Sequence, residues 1–280
     1  MDQDPTAAPD ARVDGHPPGR VDGHAPGGVD GHLRDGRADP DTGTGAQTRV
    51  LAELVHVRTG RLLRPDADAD ELPRRIRALQ RELTRFLMTY QFGIDEVLTK
   101  VNILREEFEQ THDHSPIEHV RSRLKSMDSL VQKVLRTGCE PTLPAIRERI
   151  RDVAGVRITT SFVSDAYWVV RMLSRQPDVD VVEVKDYIAH PKPNGYRSLH
   201  VIVRVPVFLS DRTEHVYVEL QVRTIAMDFW ASIEHQLYYK YDREVPPHLL
   251  GELEDAARVA ADLDQRMGRL RDELRSLSTP

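Results

Sequence analysis

From residue 72 onward the apolar positions fall into regular periods. Ile76, Leu79, Leu83, Leu87 and Tyr90 recur at spacings of three and four, which predicts an amphipathic helix over residues 72–91. Pro73 suits its first turn, and Gly93 is expected to break it. Val97, Val101, Leu104 and Phe108 then predict a second helix over about 95–110. Residues 117–125 read as a short strand and 127–136 as a helix that ends at Gly138. Pro144 opens a helix over 145–151, and 153–162 reads as a strand with Val156 and Ile158 on one side. Ser164/Asp165 is expected to cap a helix that runs to Leu173. Further strands are expected near 179–187, 198–207 and 214–223. Ile225, Phe229, Ile233 and Leu237 repeat every four residues, so 225–240 is expected to be a strongly amphipathic helix. Helices flanking a mixed sheet make an α+β domain.

Two segments depart from a plain structural pattern. In 215–224, Val216, Val218, Leu220 and Val222 alternate with Tyr217, Glu219, Gln221 and Arg223. Side chains alternate faces along a strand, so the apolar set faces a core while Glu219, Gln221 and Arg223 line an open face in a row. At the C-terminus, Leu249, Leu253, Ala256, Ala260, Leu263, Met267, Leu270, Leu274 and Leu277 hold a heptad spacing over four repeats. Such a helix packs on its own domain or joins subunits; the sustained 3.5-residue period favours a homo-oligomer.

Composition changes the picture mainly at the N-terminus. The first aromatic residue is Phe86, and the segment before it is rich in Asp, Gly and Pro, so residues 1–70 read as a disordered tail with a short apolar stretch at 48–64. Val-Asp-Gly-His recurs at Val13, Val21 and Val29, bringing His16, His24 and His32 with it. Gly and Pro at this density cannot hold three imidazoles as a metal site. Nine aspartates and four arginines give residues 1–47 a charge of −5, which leaves the rest of the −6 chain near neutral. No global basic field therefore points to a duplex nucleic acid. The single cysteine, Cys139, excludes an internal disulfide. No apolar run reaches the length of a membrane span and no secretory signal pattern is present, so the chain is expected to be cytoplasmic.

The candidate chemistry lies between residues 120 and 224. Asp152 sits where a helix gives way to a strand, and Glu219 lies mid-strand on the polar face. Taken singly, each reads as a surface ion pair. Together, among Arg and Lys, they suit an Mg²⁺ that also binds substrate phosphates. Arg123 and Lys125 alternate with apolar neighbours toward one face, and Lys133 and Arg136 follow three apart on the next helix. Tyr196, presented by the Asn194-Gly195 turn, can stack on a purine or pack on its own hairpin. His200 lies on the same face as Ser198 and can reach a phosphate or ribose. No phosphate-binding loop of the Gly-x-x-x-x-Gly-Lys-Ser/Thr type occurs. His112-Asp113 lacks the further spaced ligands of a metal phosphohydrolase.

The runs KDYIAHPKPNGYRSLH at 185–200 and VELQVRTIAMDFWASIEH at 218–235, with 120–130 and 150–158, resemble the synthetase domain of the RelA/SpoT family. The resemblance covers roughly residues 75–245 and is strongest to the small single-domain alarmone synthetases. It implies a nucleotidyltransferase-like α+β fold over 71–245, with 246–280 as an oligomerisation helix and a tetramer as the favoured assembly. It implies transfer of the pyrophosphate of ATP to the 3′-OH of GDP or GTP, without hydrolase activity. Carried over by position, Asp152 would bind Mg²⁺, and Glu219 would share the metal and orient or deprotonate the 3′-OH. Arg123 and Arg157 would flank the adenine, with Lys125, Ser129, Lys133 and Arg136 around the ATP phosphates. Tyr196 would stack on the guanine, and Asn194, His200, Gln221 and Lys192 would complete the guanine-nucleotide side. Some small members bind single-stranded RNA, which makes RNA a further expected partner. The rival reading is a non-catalytic nucleotide- or RNA-binding regulator on the same fold. Binding alone does not need both Asp152 and Glu219, which favours the enzyme.

Overall fold

The helical periods on either side of Gly93 belong to one helix. The computed structural model describes residues 71–112, 114–240 and 246–278. The histidine repeat, the apolar stretch at 48–64, the tail boundary at 70 and Asp113 lie outside the described residues. Helix α1, Glu71–Thr111, runs unbroken for 41 residues. Sequence reasoning expects Gly93 to end a helix because glycine is a poor helix former. Here it serves close approach instead: a Cβ at Gly93 would lie 2.3 Å from Val216 Cγ2 on the sheet beneath. Packing of Phe86, Tyr90, Ile94, Val97 and Val101 into the core outweighs a local propensity cost of about 1 kcal/mol.

The sheet has five strands in the order β1-β2-β5-β4-β3. These are β1 His119–Leu124, β2 Ala154–Thr160, β3 Asp180–Asp186, β4 Leu199–Phe208 and β5 Thr213–Thr224. Only β2 and β5 pair in parallel; the other three pairings are antiparallel. Val216, Val218, Leu220 and Val222 are all buried and join Val201, Val203 and Val205 under α1. Each fully buried valine or leucine contributes on the order of 1.5–3 kcal/mol. The opposite face of β5 carries the polar row.

Helix α2, Met127–Thr137, starts at Ser126, whose side chain accepts from Ser129 N, and stops at Gly138 with φ 61°. The left-handed conformation there suits glycine. Helix α3, Leu143–Arg149, is capped by Thr142 and turns the chain into β2 through Asp152. Helix α4, Val163–Leu173, adds Ala166, Val169 and Leu173 to the core. Its N-cap is Phe162, without a side-chain cap bond, rather than Ser164/Asp165. Asp165 is buried within the first turn, held by His114 Nε2 at 3.0 Å and Arg271 Nη1 at 3.3 Å. A tertiary partner has taken the carboxylate that the local rule assigned to the cap.

Helix α5, Ile225–Lys240, and helix α6, Pro247–Ser278, pack together beyond the end of β5. The stripe expected to be the buried face of α5 points outward: Ile225, Phe229, Ile233 and Leu237 are all exposed, and Met227, Trp230 and Ala231 are buried instead. Along α6, Ala257 and Asp264 face inward, while Leu249, Leu263, Met267, Leu270, Leu274 and Leu277 of the heptad pattern are exposed. Within one chain, then, the apolar stripe of α5 is left outside the core, and of the α6 pattern only Leu253 and Ala260 pack inward, beside Ala257. Among the described residues no helix is long and apolar enough to cross a membrane.

Candidate active site

Strand register assembles the site. Gly155 on β2 lies opposite Arg123 of β1 and Glu219 of β5. Two residues further along, Arg157 lies opposite Arg121 and Gln221, and Gln221 lies opposite His200 of β4. Two polar rows thus cross the sheet on the face away from α1. They floor an open cleft of about 340 Å³ lined by Arg121, Ser122, Arg123, Lys125, Asp152, Gly155, Val156, Arg157, Glu219 and Gln221.

Asp152 is the hinge between the cleft and α2. Its Oδ2 accepts from Lys125 Nζ at 3.0 Å and Lys133 Nζ at 2.7 Å. Its Oδ1 is buried and has no hydrogen-bond partner among the described residues. Burial alone would raise the carboxyl pKa, but the two ammonium groups outweigh it and hold Asp152 below its ordinary value. The result is an ionised carboxylate with one oxygen pinned and the other unclaimed.

Glu219 is held by a closed ring of hydrogen bonds. Arg223 Nη2 donates to Tyr196 Oη at 2.7 Å and to Gln221 Oε1 at 2.8 Å. Gln221 Nε2 donates to Glu219 Oε2 at 2.9 Å. Tyr196 Oη and His200 Nε2 lie 2.7 Å apart, and His200 Nδ1 lies 3.1 Å from Glu219 Oε1. Because the tyrosine oxygen already accepts from Arg223, its own proton is available to His200 Nε2. That polarity assigns the imidazole proton to Nδ1, where it is donated to Glu219. Both routes around the ring therefore deliver donors to the same carboxylate. Burial pushes Glu219 up, but the bonds from His200 and Gln221 leave it below its ordinary value.

Most of the sequence candidates converge here. Arg123, Lys125, Asp152, Arg157, Glu219 and Gln221 line the cleft, and Lys133 reaches it through Asp152. His200 and Tyr196 enter through the ring. Lys192 lies 4.8 Å from the ring centroids of both Tyr187 and Tyr196. Asn194 shapes the turn that presents Tyr196: its Oδ1 accepts from Tyr196 N and its Nδ2 donates to Glu234 Oε1, each at 3.2 Å. Ser129 sits in the first turn of α2, where its Oγ accepts from Ser126 Oγ at 2.9 Å. Arg136 is exposed on α2 and is not among the residues lining the cleft.

Sequence reasoning missed three parts of this arrangement. Arg223, expected on the open face, is only 4% exposed and is the donor that anchors the ring. Asp228, in the first turn of α5, pairs through Oδ1 with Arg157 at 3.3 Å and Arg223 at 3.2 Å. Its signal was an acid placed five residues after Arg223 inside the second signature run. Burial, with repulsion from Arg223, lowers the Arg157 pKa. Gly155 is the third: the absence of a side chain between Arg123 and Glu219 leaves the cleft floor open.

Comparison with known proteins gives a consistent result. Residues 122–244 match the family model described as a region found in RelA / SpoT proteins. The chain is 50% identical over 188 residues to the GTP pyrophosphokinase YwaC of Bacillus subtilis (strain 168), spanning 67% of this chain and 90% of that protein. It is also similar to the small alarmone synthetase 1 of Bacillus subtilis solved with its product pppGpp (TM-score 0.64, 40% identity, 69% of this chain and 97% of that one). The same enzyme bound to AMPCPP gives a TM-score of 0.61 at 37% identity, over 70% of this chain and 99% of that one.

Proposed function

This chain belongs to the RelA/SpoT family, and from that premise we propose how its cleft works as a GTP pyrophosphokinase. The enzyme transfers the pyrophosphate group of ATP to the 3′-OH of GDP or GTP and releases AMP. The 3′-oxygen bonds to the β-phosphorus of ATP as the bond from that phosphorus to the α,β-bridging oxygen breaks. The hydroxyl proton leaves to Glu219. One observation carries the residue assignment: an ionised Asp152 with an unclaimed buried oxygen faces the same cleft as a ring-held Glu219.

The donor set fits Mg²⁺, since both groups are hard carboxylate oxygens and Asp152 Oδ1 lacks a hydrogen-bond partner among the described residues. Asp152 and Glu219 would hold it, and the ion when bound supplies charge neutralisation at phosphate oxygens. Lys125 and Lys133 fix Asp152 and present further ammonium donors toward the ATP phosphates. Arg123 and Arg157 flank the adenine, with Ser129 and Arg136 at the phosphate end. Tyr196 stacks on the guanine, with Lys192, Asn194, His200 and Gln221 around it. Glu219 sits below its ordinary pKa, so it is a modest base, and its main contribution is to aim the 3′-oxygen. Alignment of that kind supplies on the order of 7–11 kcal/mol, and base catalysis about 10²–10⁴-fold.

The exposed heptad stripe of α6 supports a homo-oligomer, with a tetramer favoured. The nucleotide substrates support action in the cytoplasm. The test is turnover of labelled ATP with GDP, GTP or GMP and Mg²⁺, beside Glu219→Gln, with single-stranded RNA as a competitor. Labelled ppGpp or pppGpp and stoichiometric AMP, lost in Glu219→Gln, is the expected result. Nucleotide or RNA binding without product from any acceptor would replace this reading with that of a binding regulator.

A further inference from the structure

The turn that carries Tyr196 is pressed against the C-terminal helix. Gly195 has φ 84°, and a Cβ placed on it would lie 2.4 Å from Ala257 Cβ of α6. Ala257 is buried against Trp230 and Ala231, and Tyr196, Leu253 and Ala260 close the cluster. Trp230 Nε1 donates to Leu253 O at 2.9 Å, which ties α5 to α6 at this level. The same turn is bonded to α5 through Asn194 and Glu234, and to the sheet through the hydroxyl of Tyr196.

Helix α6 makes a second inward contact seven residues on, hence on the same face. The buried Asp264 Oδ2 accepts from Thr224 Oγ1 at 2.7 Å, and Thr224 Oγ1 in turn accepts from Met227 N at the start of α5. One face of α6 thus touches both the Tyr196 turn and the end of β5, directly after Arg223. The segment lies beyond the residues matched by the family model.

Resting on the reading above, we propose that Ala257 is a positioning residue for the acceptor nucleotide: the C-terminal helix is the outer wall of the guanine subsite, and the small side chain at 257 sets where Tyr196 stands. A larger side chain there presses on the turn at Gly195, where the close approach leaves no room for a Cβ and the backbone has no rotamer to yield. The ATP side of the cleft is built instead on β1, α2 and β2.

The experiment compares Ala257→Val with Ala257→Gly, measuring KM for each substrate and the melting temperature. Valine displaces the turn, so acceptor KM rises about 10–100-fold while ATP KM stays within about twofold. Glycine weakens the helix without adding bulk, so it lowers the melting temperature and leaves acceptor KM near wild type. Should Ala257→Val not fold, Ala257→Cys, one heavy atom larger than wild type, carries the same comparison with a smaller rise. The inference is overturned by an unchanged acceptor KM in the larger variants. A parallel rise in both KM values overturns it too, as does a rise in Ala257→Gly equal to that in Ala257→Val. Absence of product from the wild-type protein would instead sink the pyrophosphokinase reading.

Discussion

Gly155 separates the demands of the fold from those of the site. A Cβ built there meets only the carbonyl oxygens of Arg123 and Glu219, both at 3.8 Å, which is ordinary van der Waals contact. The fold therefore accepts a side chain at this position. Alanine in place of glycine within a strand should gain about 0.5–1 kcal/mol from reduced unfolded-state freedom. For a domain of this size that corresponds to a rise in melting temperature of roughly 1–4 °C. The same methyl projects from the cleft floor midway between Arg123 and Glu219 and lifts anything lying on it by roughly one carbon–carbon bond, ~1.5 Å. A displacement of about 1 Å at a reacting centre costs on the order of 10²-fold, or about 2.7 kcal/mol of transition-state stabilisation. Gly155→Ala is thus expected to be as stable as wild type or more so and about 100-fold slower in kcat/KM for ATP, with Gly155→Val slower still. Thermal unfolding and steady-state kinetics at fixed acceptor concentration measure the two quantities separately. Near-normal turnover in Gly155→Val would refute the placement of the substrate on this floor. A large drop in melting temperature would refute the claim that Gly155 is open for function rather than for packing.

Gly93 is expected to behave oppositely. Its Cβ would lie 2.3 Å from Val216 Cγ2, so Gly93→Ala should destabilise by about 1–3 kcal/mol, read as an earlier denaturation midpoint with KM values unchanged. Burial raises the pKa of Asp264, the Thr224 bond only partly offsetting it. A raised carboxyl contributes stability that is full below the unfolded-state pKa and is lost as pH rises through the folded-state value. Asp264→Asn should flatten that part of the stability–pH curve in the acid range, and an unchanged curve would remove Asp264 from the account. Replacing exposed Leu263, Met267, Leu270 and Leu274 of α6 with Ser should lower the assembly state in analytical ultracentrifugation while leaving the helical circular dichroism signal of the chain largely intact. An unaltered sedimentation coefficient would contradict the oligomer reading of the heptad stripe.

Much of this protein is determined locally and was legible in the sequence. The alternation in β5 fixed which side chains face α1 and which face the cleft, because a strand has only two faces. Ser126 and Gly138 marked the two ends of α2, since capping and left-handed backbone are properties of single residues. Asp152 and Glu219 stood out in the sequence as two carboxylates amid basic residues, and the structure brings both to one cleft. What the sequence left open was decided by neighbours distant along the chain. Gly93 reads as a helix breaker until Val216 arrives beneath it. Asp165 reads as a cap until His114 and Arg271 claim it. The apolar stripe of α5 reads as a buried face until the helix packs on α6 through Trp230 and Ala231 instead. The hydrogen-bond ring around Glu219 joins β4, β5 and the Tyr196 turn, and its polarity follows from Arg223 being buried among them. Periodicity and capping act over a few residues, so a sequence states them directly. Which face is covered, and which polar group finds a partner, depends on pairings across the fold, and only the tertiary structure selects those.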